Sequence, residues 1–422
     1  MKPMEQSVQT SGSASTGSPD ASRGHTEHFE PLNPKLANTY WNYTDGVRSA
    51  HPVVWSDGHW SEHDTGFWLV SRHDDVFATA ADWQTFSSAD GACPVQFDTE
   101  ILRMIPLETD PPLHRNVRRL LSPFFTPEAV ADAEQAAGNI VEELLDACVG
   151  KGDECDFVRD FTSPLPAQVF FNFFLDDTAE DKSKVAWVLD ILLTLFQFPE
   201  KAAEVAPELF AWCATMIESR RSVGRRDDLI GVIAHAGLEG DSFELNDKQR
   251  LETLNLTVMA GMETTASGLA NVAYHLATNQ ELRAQLRGAD DAQLSRAVDE
   301  FLRLDPPVPL AGRTLTKDVE MRGCPMKAGD RIMLNWAGAS RDPEVFENAD
   351  VLDINRDNVA KHTSFGAGVH RCLGNHLARR ELKAAIRGIS ALTTFELREG
   401  AEVNWRAAFA RGPVALPVRC ER

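Results

Sequence analysis

The sequence predicts a mainly helical chain with a smaller β part, and three observations predict it. Residues 128–228 carry apolar positions at helical spacing, with amphipathic runs at 129–149 and 185–198. A second helical pattern runs from about Lys248 to about Thr278, which at 1.5 Å per residue makes roughly 45 Å of helix. Strand-like alternation is short, confined to 67–71 and to 319–334 around the turn Lys327-Ala328-Gly329-Asp330.

Composition bounds the rest. The 422 residues are 43% apolar, enough to bury a substantial core, and no stretch reaches the length of a membrane-spanning helix. Acidic side chains outnumber basic ones 63 to 42, giving a net charge of −21. That balance excludes general nucleic-acid binding and suits a cytoplasmic monomer that repels its own copies. Seven scattered cysteines without CxxC pairs point to a reducing compartment rather than a disulfide framework. Residues 1–28 are rich in Ser, Thr and Gly and have no apolar run, so a disordered tail is expected there, neither signal peptide nor anchor. Residues 29–422 contain no linker-like segment and are expected to form one domain.

Taken in order, 74–81 reads as a short helix after the first strand, and 90–106 has no regular pattern. A loop of that length in a compact domain is more often functional than idle. Asp110-Pro111-Pro112 then opens a helix in which His114 and Arg118, four apart, share one face that could hold a carboxylate. The run Trp187 to Phe198 is apolar almost all round, so both its faces need cover, as core or as the roof of an apolar pocket. Inside the central helix, Ala260-Gly261-Met262-Glu263-Thr264-Thr265 combines a glycine with two threonines, a weak spot where a helix can open. Residues 295–304 form a further helix, ending at Pro306-Pro307, with Glu300 and Arg303 as neighbours three apart among apolar side chains. The last segment, 405–418, is expected to be a hairpin with Phe409-Ala410 at its tip.

Between these lies Phe365-Gly366-Ala367-Gly368-Val369-His370-Arg371-Cys372-Leu373-Gly374, a glycine-rich loop directly before a helix beginning near Asn375. A helix N-terminus offers free N–H groups and a positive dipole end, so Cys372 is expected to lose its proton readily and ligate metal as a thiolate. The glycines let a planar cofactor approach, and Phe365 can cover the sulfur, which together favour a haem iron. A free buried cysteine is the plainer reading, and a zinc site with His370 and His376 lacks a second cysteine pair.

This loop, with the motifs around it, resembles the cytochrome P-450 superfamily. The resemblance covers residues from about 30 to the C-terminus and is nearest to soluble bacterial members, particularly the camphor hydroxylase group, whose helix reads much like Gly374-Asn375-His376-Leu377-Ala378-Arg379-Arg380-Glu381. It implies the family's triangular helical prism, with haem b between the central and proximal helices. Cys372 would be the iron ligand, electron donation from which favours O–O cleavage. His114, Arg118, Arg313 and His370 would bind the propionates, with Ala260, Gly261, Phe365 and Gly374 also against the cofactor. Thr264 would hold oxygen and an ordered water, while Glu263 would shuttle protons from solvent. Glu300, Arg303 and Arg356 would form a structural network fixing the cysteine loop.

The resemblance further implies a monooxygenase that uses dioxygen to hydroxylate its substrate. With no flavin or ferredoxin domain fused, electrons would come from an iron-sulfur ferredoxin and an NAD(P)H-dependent reductase. Arg72, Arg115, Arg119 and Arg379 would make the ferredoxin-facing patch. Leu102, Met104, Leu256, Met259, Ala260, Pro309, Phe409 and Ala410 would line an apolar pocket for a compact terpenoid, aromatic or alicyclic substrate. The camphor enzyme's ketone-binding tyrosine has no counterpart between 90 and 106, where Leu102 takes its place, which disfavours camphor itself. Rival functions within reach of the same motifs are a haem-thiolate peroxygenase or rearrangement enzyme, and a non-catalytic haem sensor.

Overall fold

The computed structural model describes residues 25–59, 65–93, 103–175, 182–197, 201–237, 243–406 and 409–422. The central helix runs Asp247–Thr278. It starts where Asn246 and Gln249 cap each other's backbone N–H groups reciprocally, a capping box written in the sequence. Its middle stays unbroken α-helix: the expected opening at Ala260–Thr265 is absent, and the Thr264 hydroxyl donates instead to the Ala260 carbonyl at 2.8 Å. Helices Pro164–Phe170 and Asn375–Ala391 pack against it, and Ala133–Lys151 packs against those two, all in one apolar core. Helix Asp291–Leu304 starts four residues earlier than its apolar pattern suggests, because Asp290 and Gln293 form a second capping box.

A six-stranded sheet stands beside the helices, in the spatial order Thr26–Glu27, Val53–His59, Thr65–Val70, Arg331–Asn335, Leu310–Leu315, Phe86–Ser87. Alternate side chains of a strand point to opposite faces. Phe67 and Leu69 accordingly join one apolar cluster with Phe29 and Tyr40, and Trp68 and Val70 join another with Val76 and Ile332. Residues expected to end a disordered tail take part, since Thr26 and Glu27 pair with Trp55 and Ser56.

Two local expectations give way. Residues 319–334 do not form one hairpin around 327–330. Val319–Met321 pairs with Cys324–Met326 across a turn at Arg322-Gly323, both at positive φ, and Arg331–Asn335 joins the large sheet. Among the described residues of 405–418 the one bridge within the segment is Trp405–Pro413, while Pro417 bridges Asp156; neither proline carries an N–H for a ladder. Val418–Glu421 pairs with Thr394–Leu397 instead. Among the described residues, no helix is long and apolar enough to cross a membrane.

Candidate functional site

Cys372 follows the short helical turn Gly368–His370 and precedes helix Asn375–Ala391. Its N–H donates to the Phe365 carbonyl at 2.8 Å, and its carbonyl accepts from Asn375 Nδ2 at 2.9 Å, so both ends of the loop are fixed. The loop is held from below by the expected network. Glu300, fully buried, accepts two bonds from Arg303, at 2.7 and 2.8 Å, and further bonds from Arg356 Nε at 3.1 and 3.2 Å. Arg303 also donates to the carbonyls of Ser340, Ala349 and Val351. From Ser340 the chain of bonds passes through Thr363, while Ser364 Oγ donates to the Leu302 carbonyl at 2.6 Å, which anchors the residues just before Phe365.

Cys372 opens onto a cavity of about 290 Å³ between the cysteine loop and the central helix. The residue is exposed, while protein closely surrounds its thiol. Burial is accordingly the largest influence on the thiol and raises its pKa, corrected downward by the Gly374 N–H and by Arg118, Arg379 and Arg371. The easy loss of the proton expected from the helix N-terminus is therefore outweighed by desolvation, and ionisation falls to a bound metal, which deprotonates a ligating thiol outright.

The same cavity gathers His114, Arg118, Arg313 and His370. The His114 and His370 rings stand 4.3 Å apart. Burial lowers the His114 pKa to about 4, with Arg118 adding to the effect. His370 is pushed to about 2 by burial and then by Arg313, and its Nε2 has no partner among the described residues. Burial brings Arg313 down to about 10. The nearest acid, Asp110, is already taken by Ser87 Oγ and the Ser88 N–H. Asp110 is the one acid acting on His114 and Arg313, and buried positive charge so little compensated is costly, so this cluster suits an anionic occupant. Two carboxylates on a flat cofactor, above a thiolate and beside small residues, fit it.

On the opposite wall Leu256, Thr257, Ala260, Gly261, Thr264, Thr265 and Gly268 recur at helical spacing. A Cβ at Gly261 would stand 3.0 Å from the Phe170 ring, a tight contact to which the ring would have to yield. Phe365 and Gly374 complete the lower wall, and Phe409 reaches in from the C-terminal segment.

Several expected side chains lie elsewhere. Glu263 does not line the cavity. It is buried on the neighbouring face of the helix and bound to Arg406 at 2.7 Å, so it is not the solvent-linked group expected. Met104, Met259 and Ala410 are buried in packing rather than on the cavity wall, and Pro309 lines a separate small crevice with Arg406. Leu102 and Phe198 lie outside the described residues. Helix Lys182–Gln197 buries Val185, Val188, Ile191 and Leu192 in the helical core, and none of its described side chains roofs the cavity.

The four arginines expected to form a partner patch also divide. Arg72 is paired with Glu344. Arg379 donates to Asp299 at 2.7 Å and stacks over the Phe365 ring at 4.3 Å. Arg115 and Arg119 are exposed on helix Leu113–Leu121.

Several cavity residues were not legible beforehand, Cys93, Phe170 and Glu381 among them. Cys93, whose thiol burial pushes far up, arrives on the irregular loop, and Phe170 comes from a separate helix. Glu381 is fully enclosed, with one carboxyl oxygen unpartnered among the described residues, and burial raises its pKa strongly. Its place two turns past the cysteine, on the helix face of Leu377 and Ala378, was the available signal.

Comparison with known proteins agrees with this geometry. The family model described as Cytochrome P450 matches residues 64–405. The chain is 31% identical over 389 residues to the Steroid C26-monooxygenase of Mycolicibacterium smegmatis, covering 91% of this chain and 95% of that one. It is 30% identical over 364 residues to the Polyketide biosynthesis cytochrome P450 PksS of Bacillus subtilis, 83% of this chain and 88% of that one. The solved PksS structure matches with a TM-score of 0.80 over 93% of this chain and 100% of that one. Cytochrome P450 CYP101C1, at 24% identity, shares the fold with a TM-score of 0.82 over 94% of this chain and 98% of that one. The mainly helical fold with its small sheets, and the cysteine facing a cavity with a cluster of basic side chains, belong together: the chain is a member of the cytochrome P450 family, a haem-thiolate monooxygenase.

Proposed function

We propose that this monooxygenase hydroxylates a compact hydrophobic substrate, terpenoid, aromatic or alicyclic, with electrons from a separate ferredoxin and its NAD(P)H-dependent reductase. The observation that carries the reading is one cavity that holds Cys372 on one wall and Thr264 on the other, with Leu256, Phe170, Val308 and Phe409 closing its apolar end. When bound, haem supplies the redox chemistry that activates dioxygen.

The chain's own residues supply the rest. Cys372 ligates through a sulfur held by the Gly374 N–H and guarded by Phe365. His114, Arg118, Arg313 and His370 bind the two carboxylates and so set the orientation of the ring. The apolar end excludes water and positions the substrate C–H. The Thr264 hydroxyl, on the cavity wall, donates to Ala260 at rest and is free to turn toward oxygen and hold a proton there. Glu263 supplies that proton after leaving Arg406. Relatives named as a steroid monooxygenase and a polyketide-biosynthesis cytochrome P450 support an apolar substrate.

The test is a screen of substrate-induced spectral shifts across hydrophobic compounds, followed by turnover with reduced ferredoxin. Binding confined to compact apolar compounds, with ferredoxin-dependent hydroxylation, is expected. Exclusive binding of large or charged compounds would overturn the substrate class, and turnover with peroxide alone would overturn the electron source. For the partner surface, Arg115→Glu should slow reduction at low salt, whereas Arg72→Glu should change it little, because Arg72 already serves Glu344.

A further inference from the structure

Away from the cysteine cavity, His25, Glu27 and His51 bring three ligand atoms within 4.8 Å of one another, the one such group among the described residues. His25 Nε2 and Glu27 Oε1 are 2.8 Å apart. The His51 ring stacks on that of His25, with centroids 3.9 Å apart and planes inclined by 21°. His25 is exposed, whereas Glu27 and His51 are half-buried. The backbone holds the three together. Residues 25 and 27 flank Thr26, so they project from the same face of the strand Thr26–Glu27. That strand runs parallel to Val53–His59, with Thr26 opposite Trp55 and Glu27 opposite Ser56. Just beyond it the fully buried Phe29 pins the register: its N–H donates to Ser56 Oγ at 3.1 Å, and its carbonyl accepts from the same hydroxyl at 2.9 Å. His51 is fixed as firmly at the end of helix Tyr40–Ala50, where its N–H donates to the Val47 carbonyl at 2.7 Å. The Pro52 carbonyl accepts from the Ser71 N–H at 2.9 Å, and a following proline narrows the backbone of His51 further. His28 does not join the group and is turned to Asp57, at 2.7 Å.

We propose that His25, Glu27 and His51 form a site for one borderline divalent metal, zinc before others, which ties the N-terminal edge strand to the end of helix Tyr40–Ala50. Two imidazoles and a carboxylate suit zinc, whereas magnesium and calcium prefer oxygen ligands alone. Coordination replaces the hydrogen bond between His25 and Glu27: His25 then carries its proton on Nδ1, and Nε2 and Oε1 both turn to the metal. Two ligands about 2.1 Å from a tetrahedral zinc stand about 3.4 Å apart, so the 2.8 Å pair has only to open slightly and the stacked rings to tilt. Three protein ligands leave a fourth position for water, on the side where His25 meets solvent. The role is structural. Thr26–Glu27 is two residues long and lies at the edge of the six-stranded sheet, with a single neighbouring strand to hold it. A metal shared with His51 adds a second hold, from outside the ladder.

Calorimetric titration of the haem-loaded protein with zinc chloride tests the site, with haem keeping Cys372 out of the titration. One zinc per chain is expected in wild type and in His28→Ala, and its loss in His25→Ala and in His51→Ala. Glu27→Gln should weaken binding several-fold, and magnesium chloride should not bind. X-ray absorption at the zinc edge should show nitrogen and oxygen neighbours without sulfur. Hydrogen exchange read by mass spectrometry then tests the tie: the amides of 25–27 should exchange several-fold more slowly with zinc in wild type and be unaffected by zinc in His51→Ala. If one histidine variant fails to fold, the other carries the comparison. No uptake by wild type, or zinc held equally by the histidine variants, overturns the proposal and leaves a hydrogen-bonded surface pair. Sulfur around the zinc would place the metal elsewhere and overturn it too. Binding at the site with unchanged exchange at 25–27 would overturn the tie between strand and helix.

Discussion

The rings of His114 and His370 lie 4.3 Å apart, one from the helix Leu113–Leu121 and the other from the cysteine loop, and close the positively charged end of the cavity. Among the described residues neither ring is hydrogen-bonded to a carboxylate; Asp110 acts on His114 from nearby, and arginines bear on both rings. Sequence separation hid this contact, because the two histidines are 256 positions apart (370 − 114) and only folding brings them together.

A pH dependence follows for the apoprotein. His114 titrates at about 4 when folded and near 6.5 when unfolded, so the unfolded chain binds the extra proton between those values. The contribution of His114 to stability is complete above about pH 6.5 and declines as pH falls toward 4. Urea denaturation of the apoprotein across this window should show that slope, and His114→Gln should reduce it, leaving the part that His370 contributes.

Removal of a member of the Glu300 network should be severe. Arg356→Ala leaves a fully buried carboxylate short of a partner and takes a donor from the carbonyls of Glu347, Asn348 and Val351, the last still held by Arg303. A loss of about 3–5 kcal/mol is expected from breaking such a pair, with poor haem retention. Arg303→Lys should also fail, because an ammonium cannot reproduce the two-bond fork to Glu300. Denaturation midpoints and haem content per chain measure both effects.

The cysteine loop contains two glycines at positive φ that should respond differently. At Gly368, with φ of 66°, a Cβ would meet the Ala80 carbonyl oxygen at 2.1 Å. At Gly366, with φ of 67°, the nearest neighbour would be Trp336 at 3.8 Å. Gly366→Ala should cost about 1–2 kcal/mol from backbone strain. Gly368→Ala should cost clearly more and disturb haem binding, since the loop must move off the helix His73–Ala81. Equal losses would show that steric contact with Ala80 is unimportant.

Cys372 determines the spectrum of the reduced carbon monoxide complex. Wild type should give the red-shifted Soret band of a thiolate ligand, and Cys372→His a shorter-wavelength, imidazole-like band with haem still bound by the basic cluster. A red-shifted band persisting in Cys372→His would point to Cys93, the other cavity cysteine.

Thr264→Ala should leave substrate-induced spectral shifts intact and divert electrons from product to peroxide. Normal coupling in this variant would remove Thr264 from the relay, and the ratio of product to NAD(P)H consumed measures it.

What the sequence by itself determined is what short-range physics encodes. Helical spacing placed the central helix within one residue at its start, because Asn246 and Gln249 cap it locally. Glu300 and Arg303 are helix neighbours by spacing, and the glycine-rich run marked Cys372 at a loop before a helix. The tertiary structure alone decided what each charge meets. Glu263 and Arg406 are 143 positions apart, and nothing local tells an acid facing a water path from one neutralised by a distant arginine. The same holds for Arg379, which Asp299 claims, and for the strand Arg331–Asn335, which leaves its sequence neighbours for the large sheet. Secondary structure follows from contacts a few residues long. Ion pairing, burial and cavity shape are set by which surfaces the folded chain brings together, and burial then decides how each group is ionised.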